Sequence, residues 1–104
     1  MRQDGGAPLT VVVRLATALR SHAAGEGRLE LDVPGPVTLR DVLDAVAGAH
    51  PAVGRRIRDE AGALRRHVNV FVGADNARDL GGLEAPVPEG TEVSVLAAVS
   101  GGDR

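Results

Sequence analysis

Cysteine, lysine, tryptophan and tyrosine are all missing from this chain of 104 residues. Each absence removes a class of chemistry. Without cysteine there is no disulfide, no cysteine-ligated zinc or iron–sulfur cluster, and no thiolate nucleophile. Without lysine there is no Schiff base and no phosphate-loop amine, and all twelve basic side chains are arginine. Phe71 is the one aromatic ring, so the platforms on which single-stranded bases stack are lacking. A net charge of −2 offers nucleic acid or an anionic membrane no general attraction. Arg14 interrupts the best apolar run, Leu9 to Leu19, well short of a membrane span. The first eight residues contain Asp4 and lack the apolar stretch of a secretory signal. The expectation is one cytoplasmic domain whose partners are neither nucleic acid nor membrane.

What is present is enough to fold. Valine, leucine, isoleucine and phenylalanine number 28, above the range of disordered chains. Residues 1–8 read as a flexible lead because of Gly5-Gly6 and Pro8. Thr10 to Leu15 is β-branched and apolar, which predicts a strand buried on most of both faces. A short helical turn is expected over Ala16 to Ala23, ahead of the Gly25-Glu26-Gly27 break. Arg28 to Val33 alternates strictly, with Leu29, Leu31 and Val33 on one face of a half-buried strand.

Thr38 is a good helix N-cap, and Asp41 three residues on serves as a short capping-box acid. Leu39, Val42, Leu43 and Val46 follow at helical spacing. Pro51 ends that helix, since the residue before a proline is pushed out of the helical region. Pro51 to Arg66 reads as a loop with at most one helical turn. Its five arginines read as a solvated face, although RNA or an acidic protein face is a conceivable ligand. Val68, Val70 and Val72 line one face of a further strand, with turn chemistry at Gly73 to Asn76. Val87 to Gly90 fits a type I turn with proline second and glycine fourth. Val93, Val95, Ala97 and Val99 then line one face of a last strand. One main helix beside about four strands reads as α+β, with the helix packed on one face of a mixed sheet. The ubiquitin-like β-grasp satisfies this order.

Little in the chain can carry catalysis. His22, His50 and His67 show no ligand spacing, so no metal site is expected. The acids are scattered, the serines lie outside any G-x-S-x-G elbow, and no G-x-G-x-x-G occurs. The C-terminus differs. A few residues past the last apolar strand stand Gly101 and Gly102, followed by Asp103-Arg104. A tail free of side chains can thread a narrow channel and present its carboxylate to another enzyme, where any Cβ would obstruct the approach.

The order His67-Val68-Asn69-Val70-Phe71-Val72, Asp75, Arg78, Gly81-Gly82-Leu83, Val87-Pro88-Glu89-Gly90-Thr91-Glu92-Val93 and Leu96 to Gly102 resembles the MoaD/ThiS-type sulfur carriers. Within that family it is similar to the CysO-like branch, used in cysteine biosynthesis and in some actinobacterial secondary pathways. Thr38 to Val46 matches the family's helix and Val11 to Leu15 its first strand. The resemblance implies a β-grasp domain over 9–99, with its first and last strands neighbouring and parallel, and a flexible tail at 100–104. It implies a carrier, not an enzyme, with no bound cofactor. It further implies that an ATP-dependent enzyme of the ubiquitin-activating type adenylates the Gly102 carboxylate, and that a sulfur donor converts the adenylate to a thiocarboxylate for a sulfur-accepting synthase to consume. Three departures stand out. Asp103 and Arg104 follow Gly102, which implies removal by a processing metallopeptidase. Ala97 stands where the family usually has proline, and Gly73 where asparagine is common.

Leu80, Leu83 and Val99 are candidates for a partner-docking patch, although all three could equally complete the core. Alternatives to the sulfur carrier are the small subunit of molybdopterin synthase, a ubiquitin-like modifier conjugated through Gly102, and a passive interaction domain.

Overall fold

The computed structural model describes residues 8–97. The lead up to residue 7 and the tail from residue 98, with Val99 and Gly101 to Arg104, lie outside the described residues. Pro8, read from sequence as part of the lead, already begins the first strand. That strand, β1, spans Pro8–Leu15 and is followed by a short helix α1 (Thr17–Arg20) and a 3-10 turn (Ser21–Ala23). Then come β2 (Arg28–Pro34), α2 (Leu39–Ala49), α3 (Pro51–Ile57), β3 (Val68–Val72), the two-residue β4 (Asp75–Asn76) and β5 (Val93–Ala97). The strand order is β2-β1-β5-β3-β4. β1 pairs antiparallel with β2 and parallel with β5, and β5 pairs antiparallel with β3.

The registers place Val11, Val13 and Leu15 beside Leu31, Leu29 and Val95 on one face of the sheet. Val68, Val70, Val72 and Val93 extend that face, and all are buried. β1 is therefore buried on one face only, in contrast to the two-sided burial expected of it. Val12 is half-buried and Thr10 and Arg14 are exposed on the other face, which no helix covers. Parallel strands read as apolar on both faces when helices cover both, and here the helices lie on one side.

α2 forms where its pattern places it. The Thr38 Oγ1 accepts from the Asp41 backbone N–H and the Asp41 carboxylate accepts from the Thr38 N–H, completing the capping box. Leu39, Val42, Leu43 and Val46 are buried against the sheet side. The helix ends at His50, whose φ of −139° and ψ of 82° leave the helical region ahead of Pro51.

The stretch after Pro51, expected as a loop with one further helical turn, opens with the seven-residue helix α3, about two turns long. Proline at its first position needs no N–H partner there, and Val53 and Ile57, four residues apart, turn inward and are buried. Arg58 to Leu64 then folds back as a tight hairpin, with Asp59 N–H donating to the Ala63 carbonyl at 2.9 Å. α3 lies close on α2 because Gly54 has no side chain. A Cβ at Gly54 would stand 2.7 Å from the Ala47 Cβ and 3.0 Å from its Cα.

The turn before β5 is also shifted by one residue from its expected register. Thr91 N–H donates to the Pro88 carbonyl at 3.1 Å, so Pro88 is first and Gly90 third. Gly90 takes φ +84° there, a conformation that only glycine adopts without strain. Asp75–Asn76, expected as turn, pairs back on Val72 and Phe71 as β4.

Two pairs of substitutions test this packing by denaturant unfolding. Gly54→Ala is expected to cost about 1–3 kcal/mol from overpacking against Ala47. Gly48→Ala, at a helical position with nothing within 4 Å of the new Cβ, is expected to stabilise by about 0.5–1 kcal/mol. Thr38→Ala removes the cap oxygen and is expected to cost about 1 kcal/mol, whereas Thr38→Ser keeps most of it.

Candidate functional site

The parallel pairing of β1 with β5 puts the C-terminal strand in the middle of the sheet. Ala16 N–H donates to the Val95 carbonyl at 2.9 Å, and Val68 pairs with Ala97. The chain therefore leaves the sheet from its central strand, at the end where α1 begins and where β3 is entered. Ala97, the residue standing in the place of a proline, points to the core side opposite Val68 and is half-buried. Gly73 takes φ +61° in the turn after β3, with Thr91 Cγ2 at 3.4 Å from where a Cβ would stand. Glycine takes that conformation without strain.

The open face of the sheet carries the alternate residues: Thr10, Val12 and Arg14 of β1, Asn69 and Phe71 of β3, Ser94 and Leu96 of β5. Leu96 lies opposite Asn69, and Phe71 opposite Ser94, so Leu96 and Phe71 are diagonal neighbours on that face. Leu96 is 47% exposed, and Phe71 is half-buried. Towards β1 the patch is bounded by charge. Arg14 Nε donates to Glu92 Oε1 at 2.9 Å, and this hydrogen bond holds the Glu92 carboxyl below its ordinary range. Beyond it Thr10 Oγ1 donates to Asp32 at 3.0 Å. Towards β4, Arg78 donates to the Asn69 Oδ1 at 3.0 Å and to the Arg65 carbonyl at 3.3 Å.

Of the residues singled out from sequence, Leu80 and Leu83 stand on consecutive 3-10 turns. Leu80 is 37% exposed, at the end of a 3-10 turn (Ala77–Leu80) that follows the edge strand β4. Leu83, in the next 3-10 turn, packs partly against the core. Val99, like Gly101, Gly102, Asp103 and Arg104, lies outside the described residues. Sequence reasoning passed over Leu96 and Phe71, and the signal for them was in the alternation. Each is the large apolar residue on the off-face of a strand whose inward face is already filled by valines.

Among the described residues every buried side chain is apolar, and no group of three His, Asp or Glu side chains is arranged to hold a metal ion. No helix of the described residues is long and apolar enough to cross a membrane. The geometry offers a small apolar patch, Leu96 with Phe71, on the open sheet face beside the strand from which the chain leaves at Ala97.

Comparison with known proteins agrees with this picture. The model of the ThiS family matches residues 13–102. The chain is 35% identical over 82 residues to small archaeal modifier protein 1 of Haloferax volcanii, covering 79% of this chain and 90% of that protein. It is 30% identical over 96 residues to sulfur carrier protein CysO of Mycobacterium tuberculosis, covering 90% of this chain and all of that one. A chain of the Amycolatopsis orientalis BexX/CysO complex superposes with a TM-score of 0.77 at 37% identity, over 88% of this chain and 99% of that one. By sequence and by its ubiquitin-like β-grasp fold, the chain belongs to the ThiS family.

Proposed function

We propose that the protein is a sulfur carrier that bears its sulfur on the C-terminal carboxylate of Gly102. The observation that carries this reading is the reach of the family match, which runs through the last strand and stops on Gly102, leaving Asp103 and Arg104 outside it. A processing metallopeptidase removes that dipeptide to free the carboxylate. An adenylating enzyme joins the carboxylate to the α-phosphate of ATP and releases pyrophosphate. A donor at the oxidation level of hydrosulfide then attacks the acyl carbon, displaces AMP and leaves the thiocarboxylate. A synthase takes that sulfur into cysteine or another small metabolite. The absence of cysteine from the chain is no obstacle, because the sulfur-bearing group is derived from the backbone.

The carrier's own contribution is presentation. Residues 98–102 reach at most about 17 Å from Ala97 when fully extended. An enzyme whose active site holds Gly102 must therefore rest on the fold itself. The exposed Leu96 and the adjoining Phe71 offer it an apolar footing beside the tail. The A. orientalis relative was crystallised in complex with BexX, which supports a carrier that works by docking to partner enzymes. The M. tuberculosis relative's name supports sulfur as the cargo, whereas the H. volcanii relative's name favours protein modification as the second reading. The composition suits a cytoplasmic protein.

Incubating the chain ending at Gly102 with the host's adenylating enzyme, ATP and a sulfur donor separates these readings. A mass increase equal to one oxygen replaced by sulfur is expected. Isopeptide-linked products without that increase would favour the modifier, and no change would leave a passive domain. Intact mass of the protein purified from its own host is expected to show loss of Asp103-Arg104, and an active carrier retaining both residues would overturn the processing step. Leu96→Asp is expected to weaken adenylation at low carrier concentration while costing about 1 kcal/mol of stability, because Leu96 is half-exposed on a central strand where aspartate is disfavoured.

A further inference from the structure

The charge of this protein is unevenly distributed. Residues 51–67 hold five arginines against Asp59 and Glu60, a local balance of +3, while the whole chain stands at −2. The remainder is therefore at −5. Folding gathers part of that excess. The C-terminal half of α3 lies against the segment entering β3, where Arg65 N–H donates to the Ile57 carbonyl and Arg65 Nε to the Arg55 carbonyl, at 2.9 and 2.8 Å. Between them opens a cleft of about 390 Å³ lined by Ala52, Arg55, Arg56, Arg65 and His67.

Among the described residues no carboxylate lines this cleft. Arg58, nearby, is neutralised by Asp44 at 2.9 Å, and Asp59 is turned to the Ala61 and Ala63 N–H groups. Among the described residues, Arg55, Arg56 and Arg65 have no acidic side chain within ion-pair distance. Among the described residues Arg65 is held through its Nε, and its terminal nitrogens keep their donors for an incoming group. Guanidinium forks of this kind match carboxylates two bonds at a time.

The cleft's position says what it serves. His67 adjoins Val68, which pairs with Ala97, so the cleft stands at the end of the sheet where the tail departs. An enzyme that holds Gly102 within the reach of residues 98–102 covers this end. We propose that the cleft is the charged half of that enzyme's docking surface, and that it receives an acidic loop or helix bearing at least two carboxylates. This rests on the carrier reading and adds to it the chemistry of the partner. A protein face suits the cleft better than nucleic acid does. The positive surface is confined to a few side chains, the rest of the chain is negative, and the one aromatic ring lies on β3 among the open-face residues of the sheet.

The test is Arg55→Glu with Arg56→Glu in the chain ending at Gly102, a change that removes no side-chain hydrogen bond or ion pair among the described residues. Both side chains are exposed, and Arg65 is held by the Arg55 carbonyl rather than by its side chain. ATP–pyrophosphate exchange by the host's adenylating enzyme is measured against carrier concentration. The KM is expected to rise about tenfold at low salt, with kcat at saturation within about twofold, as for charges that steer docking. Raising the salt from roughly 50 to 300 mM is expected to raise the wild-type KM and to shrink the difference. The milder Arg55→Gln with Arg56→Gln, expected to raise KM less, gives the same reading should charge reversal disturb folding. A variant KM equal to wild type at low salt overturns the proposal, as does an unchanged KM in a variant that no longer retains a labelled single-stranded RNA bound by the wild type in a filter assay. A wild-type chain that supports no exchange overturns the carrier reading, and this proposal with it.

Discussion

The parallel ladder between β1 and β5 is the constraint on which the rest of the molecule depends. Three residue pairs, Val13 with Val93, Arg14 with Ser94 and Leu15 with Val95, bring the two ends of the domain together in the centre of the sheet. Two parallel strands require a long crossover, and nearly the whole chain serves as one. β2 hairpins back on β1, α2 and α3 cross the inner face, and β3 returns to flank β5 on its other side. The C-terminal strand is thus pinned on both edges by backbone hydrogen bonds. Whatever follows Ala97 starts from a fixed point.

The helices make that arrangement one-sided. α2 and α3 bury their apolar faces on the same side of the sheet, and the close approach of Gly54 to Ala47 lets both fit there. The opposite face is left open, with Leu96 and Phe71 beside the central strand and the Arg14–Glu92 pair towards one edge. The same one-sided packing pushes the end of α3 towards the entry of β3, and there it collects arginines from two separate stretches of sequence. An apolar patch and a basic cleft so come to lie near the root of one tail.

Much of the fold was legible because local pattern and tertiary demand agree. The valine alternations of β3 and β5 and the strict alternation of β2 each state which face is inward. The Thr38–Asp41 capping box and the stripe from Leu39 to Val46 state where a helix starts and what it buries. The reading failed where the local signal was short or degenerate. α3 has only two inward apolar residues, Val53 and Ile57, set among arginines and glycine, too few for periodicity to outweigh the proline and the charge. Pro88-Glu89-Gly90 accommodates two turn registers, and the hydrogen bond from Thr91 selects the one with glycine third. β1 is apolar at nearly every position, so its composition could not say that only one face would be covered.

By itself the sequence determined the ingredients. These are a cysteine-free and lysine-free chain, an α+β pattern, a family likeness running to Gly102, and a Gly101-Gly102 pair beyond an apolar strand. Those are properties of neighbouring residues, and hydrophobic periodicity and side-chain chemistry express them without knowledge of distant partners. Only the tertiary structure decided which surfaces adjoin the tail. Arg55, Arg56, Arg65 and His67 are remote from it in sequence but stand at its root. The reason is physical: strand order and helix packing are set by long-range burial, and they place residues beside one another without regard to their separation along the chain.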